Sequence, residues 1–230
     1  MQRFAHITDW VFDLDNTLYP RSCNLFRQID RLMTQYVVDL TGLDHDAARA
    51  LKKQLYLEHG TTMNGLMATH NIDPSHYLKT VHDIDYTPVM PHPELVELIA
   101  RLPGRKFIFT NADAPHAREV LQRLGAVDVF DGIFDIVAAG YRPKPLSPAY
   151  EKCLNTFDIT PQQAIMFDDM AQNLSVPHAM GMTTVQIMTP SQTDYREAGQ
   201  DMSSQARPRH IHHATDDLPG FLRGIVSMAA

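Results

Sequence analysis

Short apolar runs, each stopped by polar residues and separated by helical stretches, constrain this chain of 230 residues more than any other feature. Residues 10–12 (Trp10, Val11, Phe12), 106–109, 164–167 and 183–187 are too brief for helices, and they read as strands buried on both faces. Ile136, Val137 and Ala138 read as a further short strand. Between the runs, apolar residues recur at helical spacing: Leu95, Leu98, Ile99 and Leu102; then Ala117, Val120, Leu121 and Leu124; then Tyr150, Cys153, Leu154 and Phe157; then residues 175–180. Strands alternating with helices predict an α/β architecture, a parallel Rossmann-like sheet covered on both faces.

One block breaks the alternation. Leu25, Ile29, Leu32, Met33, Tyr36, Val37 and Leu40 share a helical stripe that Gly42 stops. Ala47, Leu51 and Leu55 continue in a second helix ended by Gly60; Met63, Leu66 and Met67 suggest a third, and Pro74 opens a fourth. The expected organisation is therefore a catalytic core over 1–19 and 91–230, interrupted by a helical domain over 20–90. The polar stretch 189–217 is expected to hold a short edge strand at 210–213, followed by a last helix through Leu218, Phe221, Leu222 and Ile225.

A hydrophobic fraction of 44% is ample for a core, and the formal net charge of -7 excludes a general electrostatic pull toward nucleic acid or anionic lipid. An anionic ligand would be held by a few local cations or by a metal. The expected partner is a small molecule, neither a nucleic-acid polymer nor a membrane; the sequence carries no signal for an oligomeric state. The two cysteines, Cys23 and Cys153, are far apart, no signal-like segment opens the chain, and no run reaches the roughly 18 apolar residues a membrane span needs. A soluble, cytoplasmic protein is expected.

Ligands of parallel sheets bind beyond the carboxyl ends of the strands. The first predicted strand ends in Asp13-Leu14-Asp15-Asn16-Thr17, another in Thr110-Asn111, and another in Asp168-Asp169; Tyr141-Arg142-Pro143-Lys144-Pro145 follows the expected 136–138 strand. Four carboxylates gathered at one place stay ionised only beside a compensating cation, and a hard ion such as Mg²⁺ suits oxygen ligands. This set fits phosphoryl transfer through an aspartyl-phosphate. Asp13 is assigned as nucleophile and Asp15 as general acid, then general base. Lys144 would neutralise the transferring group, and the Thr110 hydroxyl and Asn111 backbone N–H would bind its equatorial oxygens. The residues by themselves admit either Asp168 or Asp169 as the direct metal ligand.

The residues 12–18, Phe-Asp-Leu-Asp-Asn-Thr-Leu, together with Thr110-Asn111, Lys144 and Phe167-Asp168-Asp169, resemble in order the four motifs of the haloacid dehalogenase-like superfamily. The helical block matches the cap domain inserted after that family's first motif, which would close over the substrate and exclude bulk water. Leu18-Tyr19-Pro20, the segment 59–66 and Tyr141-Arg142-Pro143-Lys144-Pro145 resemble the pyrimidine 5'-nucleotidase branch, which implies a nucleoside monophosphate such as UMP or CMP as substrate. The resemblance also implies a Mg²⁺ site made by the Asp13 carboxylate, the Asp15 backbone carbonyl and the Asp169 carboxylate, with Asp168 orienting Lys144 or a metal-bound water.

Rival readings are a phosphatase for a sugar phosphate or phosphoglycolate, a metal-independent haloacid dehalogenase with Asp13 attacking carbon, a phospho-aspartate signalling protein, and an idle relative acting through binding. The paired acids at Asp168-Asp169 and the helical insertion speak against the dehalogenase and signalling readings. His210, His212 and His213 could suggest zinc, but no accompanying ligand set is present and a solvated edge strand is expected.

Overall fold

The computed structural model describes residues 4–188 and 208–229. It divides into two compact units, Met1–Pro20 with Val89–Ala230, and Arg21–Pro88. The first unit is built on six parallel strands: β1 (Asp9–Phe12), β2 (Arg105–Phe109), β3 (Gly132–Phe134), β4 (Ala164–Asp168), β5 (Thr183–Ile187) and β6 (His213–Thr215), in the order β3-β2-β1-β4-β5-β6. The most apolar strands, β1 and β4, lie in the middle, where both faces are covered. Successive side chains leave a strand on opposite faces. On one face Phe12 stacks on its register partner Phe167, with ring centroids 4.6 Å apart. On the other, Val11, Phe107, Phe109 and Met166 join Phe134, Tyr150 and Cys153 in a buried cluster.

Two expectations about strands fail in register. The residues 136–138 form a turn, and the third strand lies just before them at β3. Asp135 causes this: its Oδ1 accepts from the Ala138 N–H at 2.7 Å and its Oδ2 from the Ala114 N–H at 2.8 Å, which offers the backbone a turn instead of a ladder. Ile136 is still buried, so an apolar triplet in a packed turn imitates a strand. The edge strand begins at His213 rather than His210. Thr184 pins the chain before it, its hydroxyl donating to the His210 carbonyl and accepting from the His212 N–H. Residues 189–207, the rest of that polar stretch, lie outside the described residues.

The second unit is helical: α1 (Leu25–Thr41), α2 (His45–His59), α3 (Thr62–His70) and α4 (Pro74–Val81). Gly42 and Gly60 end the first two in the left-handed conformation, as their positions foretell. Asp44 starts α2 by accepting the N–H groups of Asp46 and Ala47. A Cβ on Gly65 of α3 would sit 2.6 Å from the Leu55 Cβ, so only glycine lets α3 come this close to α2. Lys52 ties α2 to α1, donating to Asp30 and to the Thr34 hydroxyl.

The remaining helices belong to the sheet unit: α5 (Pro93–Ala100), α6 (Ala114–Leu124), α7 (Ser147–Phe157), α8 (Ser175–Met180) and α9 (Leu218–Ala229). Among the described residues no helix is long and apolar enough to cross a membrane.

Candidate active site

Parallel pairing brings three strand ends level. Phe12 is in register with Ile108 on one side and Phe167 on the other, so Asp13 emerges beside Phe109 and Asp168. The Asp13 N–H donates to the Phe167 carbonyl at 2.8 Å, extending the ladder by one bond before the chain turns. Asn16 takes the left-handed conformation at φ 60, one that asparagine tolerates better than most residues, and Leu18 closes the turn by donating to the Leu14 carbonyl.

Lys144 is the centre of the arrangement. Its ammonium donates at 2.8 Å to Asp13 Oδ1, to Asp168 Oδ2 and to the Phe109 carbonyl, which uses all three hydrogens. It is only 3% exposed, and the two carboxylates hold its pKa above the ordinary lysine value although burial alone would lower it. The backbone that presents it is clamped by Asn111, whose side-chain oxygen accepts from the Lys144 N–H at 2.7 Å while its amide donates to the Lys144 carbonyl at 3.1 Å. The Asn111 side chain thus serves the lysine loop. The Thr110 hydroxyl, buried at the end of β2, accepts from the Ala112 N–H at 3.0 Å.

The acids differ in their surroundings. Asp13 also accepts from the Thr17 hydroxyl at 2.9 Å. Burial pushes its carboxyl up to about 7; Lys144 opposes that, and the nearby Asp168 and Asp15 charges add to it. Asp168 is fully buried and raised in the same direction by burial, against Lys144, with Asp169 adding to the rise. Its Oδ1 accepts from the Met170 N–H at 2.9 Å and its two oxygens accept the Asn173 amide at 3.0 and 3.2 Å. Asp169 is half-buried, and one ligand atom from each of Asp13, Asp168 and Asp169 falls within 4.8 Å of the others. Asp15 faces a different set: its Oδ1 accepts from the His116 ring at 2.8 Å and from the Tyr19 hydroxyl. His116 sits on α6, is 1% exposed, and has its pKa raised overall, burial lowering it and the Asp15 and Asp113 carboxylates raising it more.

Six of the seven residues singled out from the sequence therefore stand at or just beyond the strand ends of one sheet, and Lys144 reaches them from a loop. Their ionic balance suits a divalent cation. Two carboxylates share the single ammonium with Asp169 beside them; burial drives the Asp13 and Asp168 carboxyls upward, the neighbouring acids add to the rise, and a proton or a cation resolves it. Asn173 Oδ1 is buried without a hydrogen-bond partner beside this cluster, as an acceptor facing a hydrated ion would be.

Two contributors were invisible in the sequence. His116 and Asn173 occupy ordinary positions in helical turns, and only the folded backbone turns them inward; Thr17 stood in the first motif, without the role of donor to Asp13 that the fold gives it. The one signal available was Tyr19, four residues after Asp15 in the first motif. The three C-terminal histidines serve packing and turns. His210 reaches the Ala171 carbonyl at 2.8 Å, His212 is bound to Thr184, and His213 packs on Phe4 and Phe221. Among the described residues they form no metal-binding group.

The haloacid dehalogenase-like hydrolase family matches residues 11–181, a span running from the first acid motif past the last. This chain is a haloacid dehalogenase-like hydrolase. Two curated relatives of this hydrolase are the phosphate metabolism protein 8 of Saccharomyces cerevisiae, 32% identical over 54% of this chain and 42% of that protein, and the sesquiterpene phosphatase astK of Aspergillus oryzae, 30% identical over 40% of this chain and 48% of that protein. The matches thus span less than half the length of either relative. Among solved structures, the HAD phosphatase from Thermococcus onnurineus is similar with a TM-score of 0.60 at 15% identity, covering 95% of this chain and 98% of that one. The L-2-haloacid dehalogenase from Xanthobacter autotrophicus is similar with a TM-score of 0.56 at 14% identity, covering 96% of this chain and 99% of that one. The hydrolase fold therefore carries both chemistries, and the choice between them rests on the site.

Proposed function

We propose that this haloacid dehalogenase-like hydrolase is a Mg²⁺-dependent phosphatase of a small phosphate monoester, acting through a phosphoryl group carried transiently on Asp13. The supporting observation is the Lys144 ammonium held between Asp13 and Asp168 with further acids around it. A dehalogenase that attacks carbon has no use for the surplus of buried carboxylates. A phosphatase does, because a dianionic phosphoryl group approaches an anionic nucleophile only where cations gather.

Asp13 and Asp169 would hold the ion through their carboxylates, with the Asp15 carbonyl that the family resemblance implies. Asp168 is assigned instead to orienting Lys144, because its two oxygens are already spent on Lys144, Met170 and Asn173. When bound, the ion supplies the charge that lets nucleophile and phosphate share the site. Asp13 attacks phosphorus in line with the leaving oxygen, Asp15 gives that oxygen a proton, and Asp15 then takes a proton from the water that releases phosphate. The Thr110 hydroxyl and the Asn111 N–H steady the equatorial oxygens, and Lys144 sets a positive charge beside them.

For the substrate we propose a pyrimidine nucleoside 5'-monophosphate, on the strength of the 18–20, 59–66 and 141–145 segments alone. The phosphatase names of the relatives support the broader class. The test is phosphate release from CMP, UMP, sugar phosphates, phosphoglycolate and a simple aryl phosphate, with Mg²⁺ or with a chelator. Release that needs the ion and falls about 10⁴-fold or more in Asp13→Asn is the expected result. Halide release from a 2-haloacid without Mg²⁺ would overturn the phosphatase reading, and CMP and UMP ranking last would overturn the nucleotide assignment.

A further inference from the structure

Asp15 is asked to do two proton transfers, and a carboxylate with free rotation would do them poorly. It has one χ1 and a broad χ2, and it follows the strand by three residues, where the backbone has already turned. Something must set which of its oxygens meets the leaving group. Two donors take the same oxygen. His116 Nε2 reaches Oδ1 at 2.8 Å, and the Tyr19 hydroxyl donates to the same atom. Both partners are buried, His116 at 1% and Tyr19 at 4% exposure. His116 has no room to swing away, because its side chain is fully buried, and the first turn of α6 that carries it is capped by Asp113 Oδ1 accepting from the His116 backbone N–H at 3.1 Å. A sheet-mounted tyrosine-bearing turn and a helix N-terminus thus grip one atom from two directions.

We propose that His116, with Tyr19, is a positioning residue that holds the Asp15 carboxyl through Oδ1 in the orientation its proton transfers need. This rests on the phosphatase reading above and deepens it. An sp² carboxyl oxygen has two lone-pair positions, and on Oδ1 both are filled by donors. In the first half-reaction an Asp13 oxygen bonds to phosphorus while the bond from phosphorus to the leaving oxygen breaks. The electron pair stays on that oxygen, which receives the Asp15 proton. In the second, a water oxygen bonds to phosphorus, its proton passes to the Asp15 carboxylate, and the bond from phosphorus to Asp13 breaks to release phosphate. The catalyst ends in the protonation state in which it began.

The distinguishing readout is leaving-group dependence. An aryl ester such as p-nitrophenyl phosphate expels a stable anion and needs little protonation, whereas an alkyl phosphate expels an alkoxide and depends on the acid. In His116→Ala, with Mg²⁺ present, kcat/KM for the alkyl ester is expected to fall about tenfold or more further than kcat/KM for the aryl ester, because a loosened acid loses its alignment. His116→Gln, whose amide can place a donor near the Nε2 position, is expected to restore most of that ratio, and Tyr19→Phe to show a smaller change in the same direction. The ratio is taken within one preparation, so partial unfolding cancels. Equal losses on both esters in His116→Ala would overturn the positioning role while leaving the phosphatase intact. If the unaltered enzyme released phosphate from neither ester with Mg²⁺, the phosphatase reading would fall and this inference with it.

Discussion

Replacing Lys144 with methionine tests the electrostatic design of the site without asking for activity. Methionine keeps the length and the apolar stem but removes three hydrogen bonds at 2.8 Å, two of them to buried carboxylates. Asp13 and Asp168 would then face each other at 7% and 0% exposure with no cation between them. Breaking a buried pair by removing one partner costs about 3–5 kcal/mol, because the surviving charge has lost its water and its mate. For a chain of this size that converts to a fall in Tm of about 6–20 °C. The loss must depend on pH in a definite direction. Without Lys144 the folded-state carboxyls titrate higher still above their unfolded value. The protonated acids are harmless, so the variant is best off at acidic pH, and stability drains away as the pH rises through the folded value. Thermal unfolding of both proteins between pH 5 and 8, in a chelator, gives the comparison. The gap between them should widen toward pH 8. A gap below about 2 °C, or one that grows on acidification, would refute the claim that Lys144 compensates these two acids.

Two further outcomes follow from the same geometry. With its carboxyl pushed up to about 7 by burial, Asp13 must shed a proton to take a metal ion. Mg²⁺ affinity should therefore climb toward about tenfold per pH unit below that value and level off above it, and calorimetry in buffers of different ionisation enthalpy should detect a proton released at acidic pH and none at pH 8. Uptake of Mg²⁺ with no proton exchange anywhere in that range would contradict the assignment. In the helical unit, Gly65→Ala would drive a methyl group to within 2.6 Å of Leu55 Cβ, and overpacking of this kind costs about 1–3 kcal/mol, read as a lower denaturation midpoint.

Most of the fold was open to inspection in the sequence because its local signals agree. The buried strands β1, β2, β4 and β5 are short apolar runs, the helices of the insert end at Gly42 and Gly60, and the acids and Thr110 stand where those strands stop. The errors came where local chemistry and periodicity disagree. Ile136, Val137 and Ala138 are as apolar as a strand, but the Asp135 side chain captures the Ala138 N–H and bends them into a turn, while its other oxygen holds the start of α6. Thr184 similarly holds the chain at His210 and His212 until pairing resumes at His213.

Sequence by itself determined which chemical groups the sheet carries at its tips, because a strand end is a local feature that hydrophobic runs reveal. Only the tertiary structure decided how those groups are partnered. Lys144 comes from an irregular loop 131 residues beyond Asp13, and its three acceptors come from three different strand ends. His116 and Asn173 look like any polar residue on a helical turn until the sheet's register turns them toward Asp15 and Asp168. Such contacts depend on the position of whole elements in space, and no periodicity along the chain encodes them.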